Sequence, residues 1–137
     1  LNNVGLYTIV QDNSNYKDNS LYTNTEVSYA FADGKVTASY GAATPKELND
    51  VKSLKKADIK YQASELLTSL DWHVIKATEV ESYSVPEAIT TYRADVRSTS
   101  NTMETAIDNA ADVDALAALY VYTDGTRPLG EFPILET

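Results

Sequence analysis

Residues 25–41 read TEVSYAFADGKVTASYG, and this stretch predicts a β-hairpin. On either side of Asp33-Gly34, β-branched or aromatic residues alternate with small or polar ones. An Asp-Gly pair readily adopts the positive φ angles that a two-residue type I′ turn requires. The alternation gathers one set of side chains on a single face that we expect to be buried: Val27, Tyr29, Phe31, Val36 and Tyr40.

A further strand is predicted at residues 4–11, VGLYTIVQ, because β-branched and aromatic residues dominate there. The segment that follows, DNSNYKDNS at 12–20, is rich in turn formers. We therefore expect residues 1–43 to form a small antiparallel β-meander or hairpin.

Helical patterns begin at Thr44. TPKEL at 44–48 offers Thr44 as an N-cap and Pro45 as the first helical residue. An apolar stripe at helical spacing follows, made of Ile59, Ala63, Leu66, Leu67 and Leu70. We expect this helix to end near Asp71, because WHVIKATEVESYSV at 72–85 is rich in β-branched residues and precedes Pro86.

Two more helices are predicted beyond Pro86. The first carries the stripe Ile89, Tyr92, Val96, Met103 and Ile107, and the second follows a cap at Asn109 or Asp112. The prolines and glycines of 123–137 indicate an extended tail whose Leu129, Phe132 and Ile134 are free to insert into a groove. The predicted fold is α+β: a β-rich region over 1–43, then a domain of three to four helices over 44–137 with an extended C-terminal tail.

Composition narrows the classes of partner. The chain of 137 residues carries a formal net charge of -9, which disfavours nucleic acid and anionic membrane surfaces. It contains no cysteine, so disulfides and thiolate chemistry are excluded. The sequence shows no run of the roughly 20 apolar residues that would span a bilayer, and no signal-peptide pattern at its start.

Catalytic and metal-binding patterns are weak. His73 is the single histidine, and no nucleophile elbow or phosphate-binding glycine loop accompanies it. Residues 12–20 offer oxygen ligands at alternating positions, yet they lack the turn glycine and the bidentate glutamate of a calcium loop. We predict no catalytic residue, no metal and no cofactor. A catalytic pair of carboxylates stays an open alternative, because any two of the 20 acidic residues could meet across a cleft.

The order of motifs over 65–97 resembles the phage tail assembly chaperone family, which includes tail fibre assembly proteins. ELLTSLDW at 65–72 is followed by Pro86 and then by TTYRADVR at 90–97. The matching positions are Leu66, Leu67, Asp71, Trp72, Pro86, Tyr92, Arg93, Val96 and Arg97. The ending RPLGEFPILET, with Phe132 and Pro133, is similar to the short aromatic-proline ending of such proteins. Residues 1–43 and 98–122 have no counterpart in that pattern.

This resemblance implies a non-enzymatic protein that binds phage tail or tail-fibre proteins during assembly, in the virion tail or the host cytoplasm. A virion component retained in the particle, such as a baseplate, fibre-tip or connector protein that forms a homo-oligomer, is the first alternative. A carbohydrate-binding module at a fibre tip is the second, because five tyrosines lie in residues 1–43. The candidate contact residues are Trp72, Tyr92, Arg93, Arg97, Phe132, Ile134, Tyr29 and Tyr40. The arginines could equally pair with carboxylates of the chain itself.

Overall fold

In the computed structural model, which describes residues 5–136, small β-sheets precede four helices, and the predicted α+β class is confirmed. The strands are β1 (Thr8–Asp12), β2 (Tyr22–Thr23), β3 (Val27–Ala32), β4 (Lys35–Tyr40) and β5 (Thr44–Pro45). The helices are α1 (Leu48–Thr68), α2 (Asp71–Glu79), α3 (Glu87–Asn109) and α4 (Val113–Ala118). The chain divides into two compact units, Leu1–Val51 and Lys52–Thr137.

The predicted hairpin is formed by β3 and β4, which pair antiparallel with Ala32 opposite Lys35. Its turn residues have positive φ angles, 51° at Asp33 and 70° at Gly34. Positive φ at both central residues identifies a type I′ turn, whose twist matches that of the two strands. The hairpin and its register are therefore confirmed.

The first strand differs from a simple meander. β1 pairs with β4 in parallel, so the sheet has the order β1-β4-β3. β4 thus has β3 on one side and β1 on the other, and β1 runs in the same direction as β4. The chain between β1 and β4 makes the crossover connection that a parallel pair requires. Only the β3-β4 part of this sheet is antiparallel.

The expected helix start at Thr44 was wrong. Thr44 and Pro45 pair with β2 in a second, two-stranded sheet, and Lys46 donates its backbone N–H to the Leu21 carbonyl at 2.9 Å. Thr44 and Pro45 are therefore extended, and α1 begins only at Leu48. A proline at the end of a short edge strand is acceptable because it need not donate to a ladder.

The expected burial of the hairpin's apolar face was also wrong. Tyr29 and Phe31 are 69% and 61% exposed, while Val27, Val36 and Tyr40 are half-buried. Among the described residues of this first unit, the buried apolar side chains are Leu21, Tyr22, Val51 and, from the hairpin face itself, only the small Ala38 opposite Tyr29. Alternation correctly places these hairpin side chains on one face, but it does not determine whether a second layer covers that face.

The second unit is organised by α1 and α3, which run antiparallel. Lys56 pairs with Asp108 at 2.7 Å and Lys60 with Glu104 at 3.3 Å, so later residues of α1 meet earlier residues of α3. The predicted stripes are confirmed as the facing surfaces. The most deeply buried side chains of this unit are Ile59, Val96, Met103, Ile107 and Leu116.

The expectation that residues after Asp71 leave helical structure was wrong, because α2 covers Asp71–Glu79. Val74, Ile75 and Thr78 are β-branched and lower intrinsic helix propensity by only a few tenths of a kcal/mol each. Contacts at the first turn of α2, described below, outweigh that preference. No residue of α2 is fully buried.

Of the two caps predicted for α4, Asn109 or Asp112, the structure has Asp112. Its carboxylate Oδ1 accepts the backbone N–H of Ala115 at 2.7 Å. After α4 the tail turns back, and the backbone N–H of Leu129 donates to the Leu119 carbonyl at 3.0 Å. Leu129 is buried, so this part of the tail contributes to the core. Within residues 5–136, no helix has both the length and the apolar character needed to cross a membrane.

Candidate functional site

Arg93 joins the end of α1 to the start of α2. Its guanidinium donates from Nη1 to the Leu67 carbonyl and from Nη2 to Oδ1 of Asp71, both at 2.8 Å. Carbonyls in the last turn of a helix lack their usual i+4 donors, and that of Leu67 also accepts the Leu70 N–H at 3.0 Å. An arginine fork can bond such an oxygen and a carboxylate together. Because the Arg93 side chain is only 11% exposed, these two bonds fix the corner between the helices.

Three other motif positions belong to the core beside this corner. Tyr92 and Val96 are buried together with Ala63 of α1. Phe132 of the tail packs against the same cluster from outside, together with Leu135. Tyr92, Arg93 and Phe132 were all predicted to contact a partner, and each of them makes its contacts within the chain.

Trp72 remains accessible, with 52% of its surface exposed. Its indole stacks on the His73 imidazole with the ring centroids 3.7 Å apart. Nδ1 of His73 and the Tyr83 hydroxyl lie 2.5 Å apart and share a hydrogen bond, which ties the α2–α3 connection to the first turn of α2. The Lys76 ammonium lies 4.5 Å from the Tyr83 ring centroid and 5.9 Å from that of Trp72.

We name these four residues, Trp72, His73, Lys76 and Tyr83, the α2 aromatic cluster. The contacts of His73 are therefore stacking on aromatic rings and one hydrogen bond with the Tyr83 hydroxyl. Tyr83 and Lys76 were missed by sequence reasoning. The i, i+4 spacing of Trp72 and Lys76 on α2 could have indicated the lysine, whereas no local pattern connects His73 with Tyr83.

Arg97 and Ile134 are free of such packing. Arg97 is exposed, and its Nη1 makes a long 3.3 Å hydrogen bond to the Arg93 carbonyl. Ile134 is 86% exposed, although its neighbours in the tail pack on the core. An open groove of about 440 Å³ lies beside Tyr61, Leu66 and Phe132.

A second accessible area lies on the three-stranded sheet. The register places Ile9, Phe31 and Val36 side by side across the strands, with Tyr29 further along the same face. Ile9 is 65% exposed, and the Tyr7 ring meets that of Phe31 edge-on at 4.8 Å. We call this set the apolar sheet face: Ile9, Tyr29, Phe31 and Val36. Ile9 and Phe31 were not predicted as contact residues, although the alternation that identified Tyr29 also includes Phe31.

Tyr40 and the Asn-rich segment take part in local structure. The Tyr40 ring lies 5.1 Å from that of Tyr16, and the Asn15 side-chain amide donates to the Tyr40 carbonyl at 3.0 Å. The carboxylate of Asp12 accepts the Ser14 backbone N–H at 2.9 Å, and this hydrogen bond lowers the pKa of Asp12. The segment behaves as a hydrogen-bonded loop, with Asp12 turned to its own backbone.

Within residues 5–136, no three His, Cys, Asp or Glu side chains are grouped closely enough to hold a metal ion. The hydroxyl of Tyr120 is buried without a hydrogen-bond partner among the described residues. Burial, and to a lesser extent the nearby Asp58 carboxylate, raises the pKa of Tyr120.

Comparisons with protein-family models, with curated proteins and with solved structures found no match.

Proposed function

We propose that this chain is a non-enzymatic assembly protein of a tailed phage, and that it acts by protein–protein contact in building the tail or tail fibre. The phage context rests on the resemblance of residues 65–97 to tail assembly chaperones. The contact role rests on one observation: large aromatic side chains are exposed at both Trp72 and the apolar sheet face. Exposed aromatic residues are enriched at protein interfaces and supply much of their binding energy.

Within this proposal the motif residues divide into two groups. Arg93, Asp71 and Tyr92 build the corner between α1 and α2, and Trp72 is the member of the motif that this corner presents to the surface. The proposed mechanism is transient shielding of apolar segments of tail or fibre proteins. Shielding requires no covalent step.

The test is complementation of a phage that lacks this gene. We expect the wild-type chain to restore tails, and Trp72→Ala to restore few, because the exposed indole is the proposed contact. Thr78→Ala, on the same helix and also exposed, serves as the matched control and should complement fully. Normal tail assembly with Trp72→Ala would contradict the assigned contact, and normal assembly without the gene would contradict the function.

A retained virion component is the second candidate. It is favoured by the edge of β3, where a neighbouring subunit could extend the sheet in a symmetric assembly. This candidate predicts a fixed, symmetric copy number in purified particles and a stable oligomer of the isolated chain.

A carbohydrate-binding fibre-tip module is the third candidate, favoured by the exposed ring of Tyr29. Loss of glycan-array binding in Tyr29→Ala would support it, with Tyr61→Ala as a control at another exposed tyrosine.

A further inference from the structure

We infer that the outer edge of β3 is a docking site for an extended strand of another protein, one that carries basic residues at both ends. β3 lies at the edge of the sheet order β1-β4-β3. This inference names a contact surface for the proposed function and rests on it, while its test uses the isolated chain.

The type I′ turn determines which backbone groups of β3 face outward. In such a hairpin, the residues that flank the turn, Ala32 and Lys35, exchange both backbone hydrogen bonds. Pairs in an antiparallel ladder alternate, so Ala30 and Ser28 also bond to β4. The N–H and C=O groups of Val27, Tyr29 and Phe31 therefore point away from β4, toward the free edge.

This edge lacks the features that usually protect a sheet edge. The strand Val27–Ala32, VSYAFA, contains no charged residue and no proline, and all of it except Val27 is exposed. Soluble proteins normally blunt such edges with lysine, proline or a bulge. An unprotected edge next to exposed Tyr29 and Phe31 offers both a hydrogen-bond ladder and side-chain contacts to an added strand.

The opposite edge of the sheet is less suitable. β1 ends in the charged residue Asp12, whereas β3 contains no charged residue. The outer edge of β3 is therefore the better template.

The charges at the two ends of β3 indicate what kind of strand would bind to its outer edge. Exposed carboxylates stand at both ends of the edge, Glu26 before β3 and Asp33 in the turn, roughly 24 Å apart along an extended strand. They match a strand of similar length with lysine or arginine near each end. A second copy of this chain fits less well, because antiparallel pairing centred on Tyr29 would bring Glu26 next to the Asp33 of the other copy.

The probe is a synthetic eight-residue peptide of alternating threonine and valine with a lysine at each end. Amide hydrogen exchange of the isolated, full chain is measured by NMR with and without this peptide. We expect slower exchange at Val27, Tyr29 and Phe31 and no change at Ser28 and Ala30, which are already bonded to β4. The same peptide with glutamates in place of the lysines should bind at least about tenfold more weakly.

Two variants separate backbone pairing from side-chain contact. Tyr29→Pro removes an outward N–H and should weaken peptide binding by about tenfold or more, whereas Tyr29→Thr keeps that N–H and should bind within about threefold of wild type. Protection of Ser28 and Ala30 reports whether the hairpin persists in each variant. If Tyr29→Pro loses it, Val27→Pro at the first residue of the strand provides the same test.

Several outcomes would overturn the inference. They are equal binding by Tyr29→Pro, equal binding of the acidic peptide, protection that maps away from β3, or a dimer in sedimentation that Tyr29→Pro abolishes. The last outcome would assign the edge to a second copy. If these occur while the gene remains necessary for tails, the docking edge fails and the proposed function stands.

Discussion

At the scale of single residues, the two arginines of the motif have different roles. Arg93 is buried and holds Leu67 and Asp71, whereas Arg97 is exposed and bonds only weakly to a carbonyl among the described residues. Their spacing predicts that both lie on one face of a helix, but spacing alone does not reveal that the corner between α1 and α2 encloses only the first. Arg93 is thus a stabilising residue, and Arg97 remains free for contact.

Arg93→Ala should lower the free energy of unfolding by about 1 to 2 kcal/mol, because the half-exposed Asp71 carboxylate loses its charged donor and the Leu67 carbonyl keeps only the Leu70 N–H. Arg97→Ala, one turn further on the same helix, should change it by less than about 0.5 kcal/mol. Urea denaturation of both variants checks the difference. Equal losses would contradict the structural role of Arg93.

Replacing Tyr120 is expected to change the free energy of unfolding in the opposite direction to Arg93→Ala. Its buried hydroxyl has no partner among the described residues, so Tyr120→Phe should leave stability unchanged or raise it slightly. Burial raises the pKa of Tyr120 in the folded chain. Above the ordinary tyrosine pKa, near 10, the unfolded chain therefore loses the Tyr120 proton more readily than the folded chain does. The folded state becomes less stable as the pH rises through that range.

Tyr120→Phe removes this source of alkaline destabilisation. Urea denaturation at neutral pH and above pH 10 should show a smaller loss for the variant than for wild type. The control is Tyr61→Phe, since Tyr61 is 63% exposed. A large loss of stability in Tyr120→Phe at neutral pH would show that the hydroxyl is needed.

At the scale of elements, local chemistry determined what could be predicted from sequence. Asp33-Gly34 encodes its own turn, which was predicted correctly, and Asp112 its own cap, which was one of the two predicted positions. The start of α1 and the whole of α2 were not. Thr44 and Pro45 are a valid helix start that pairing with β2 overrides. Contacts with α2 come from Arg93 and Tyr83, which lie outside that helix and follow no local pattern.

The tail is the element whose two apolar residues can be compared most directly. Phe132 packs against the cluster of Ala63, Tyr92 and Val96, whereas Ile134 is 86% exposed. Phe132→Ala should therefore lower the free energy of unfolding by about 2 kcal/mol, which is less than the loss for a fully buried phenylalanine. Ile134→Ala should lower it by less than about 0.5 kcal/mol. Thermal unfolding of the two variants checks this. Equal stability of both variants would contradict the docking of the tail.

At the scale of the whole molecule, the fold class could be predicted because strand-like and helical patterns occupy separate parts of the chain. Exposure could not be predicted, since alternation in β3 is the same whether Tyr29 and Phe31 face a core or solvent. The residues predicted to contact a partner therefore differ in exposure: Trp72 and Tyr29 are accessible, while Tyr92 and Arg93 are buried within the chain, and their contact with a partner stays a prediction.

We propose that this protein assists tail assembly and then leaves. The most direct measurement is quantitative mass spectrometry of purified phage particles, with this chain counted against the major tail protein and compared with the infected-cell lysate. We expect abundant chain in the lysate and fewer than about one copy per particle, because a factor that leaves after assembly occupies no position in the symmetric tail. A fixed copy number that matches the symmetry of the tail would contradict it and establish a retained virion component.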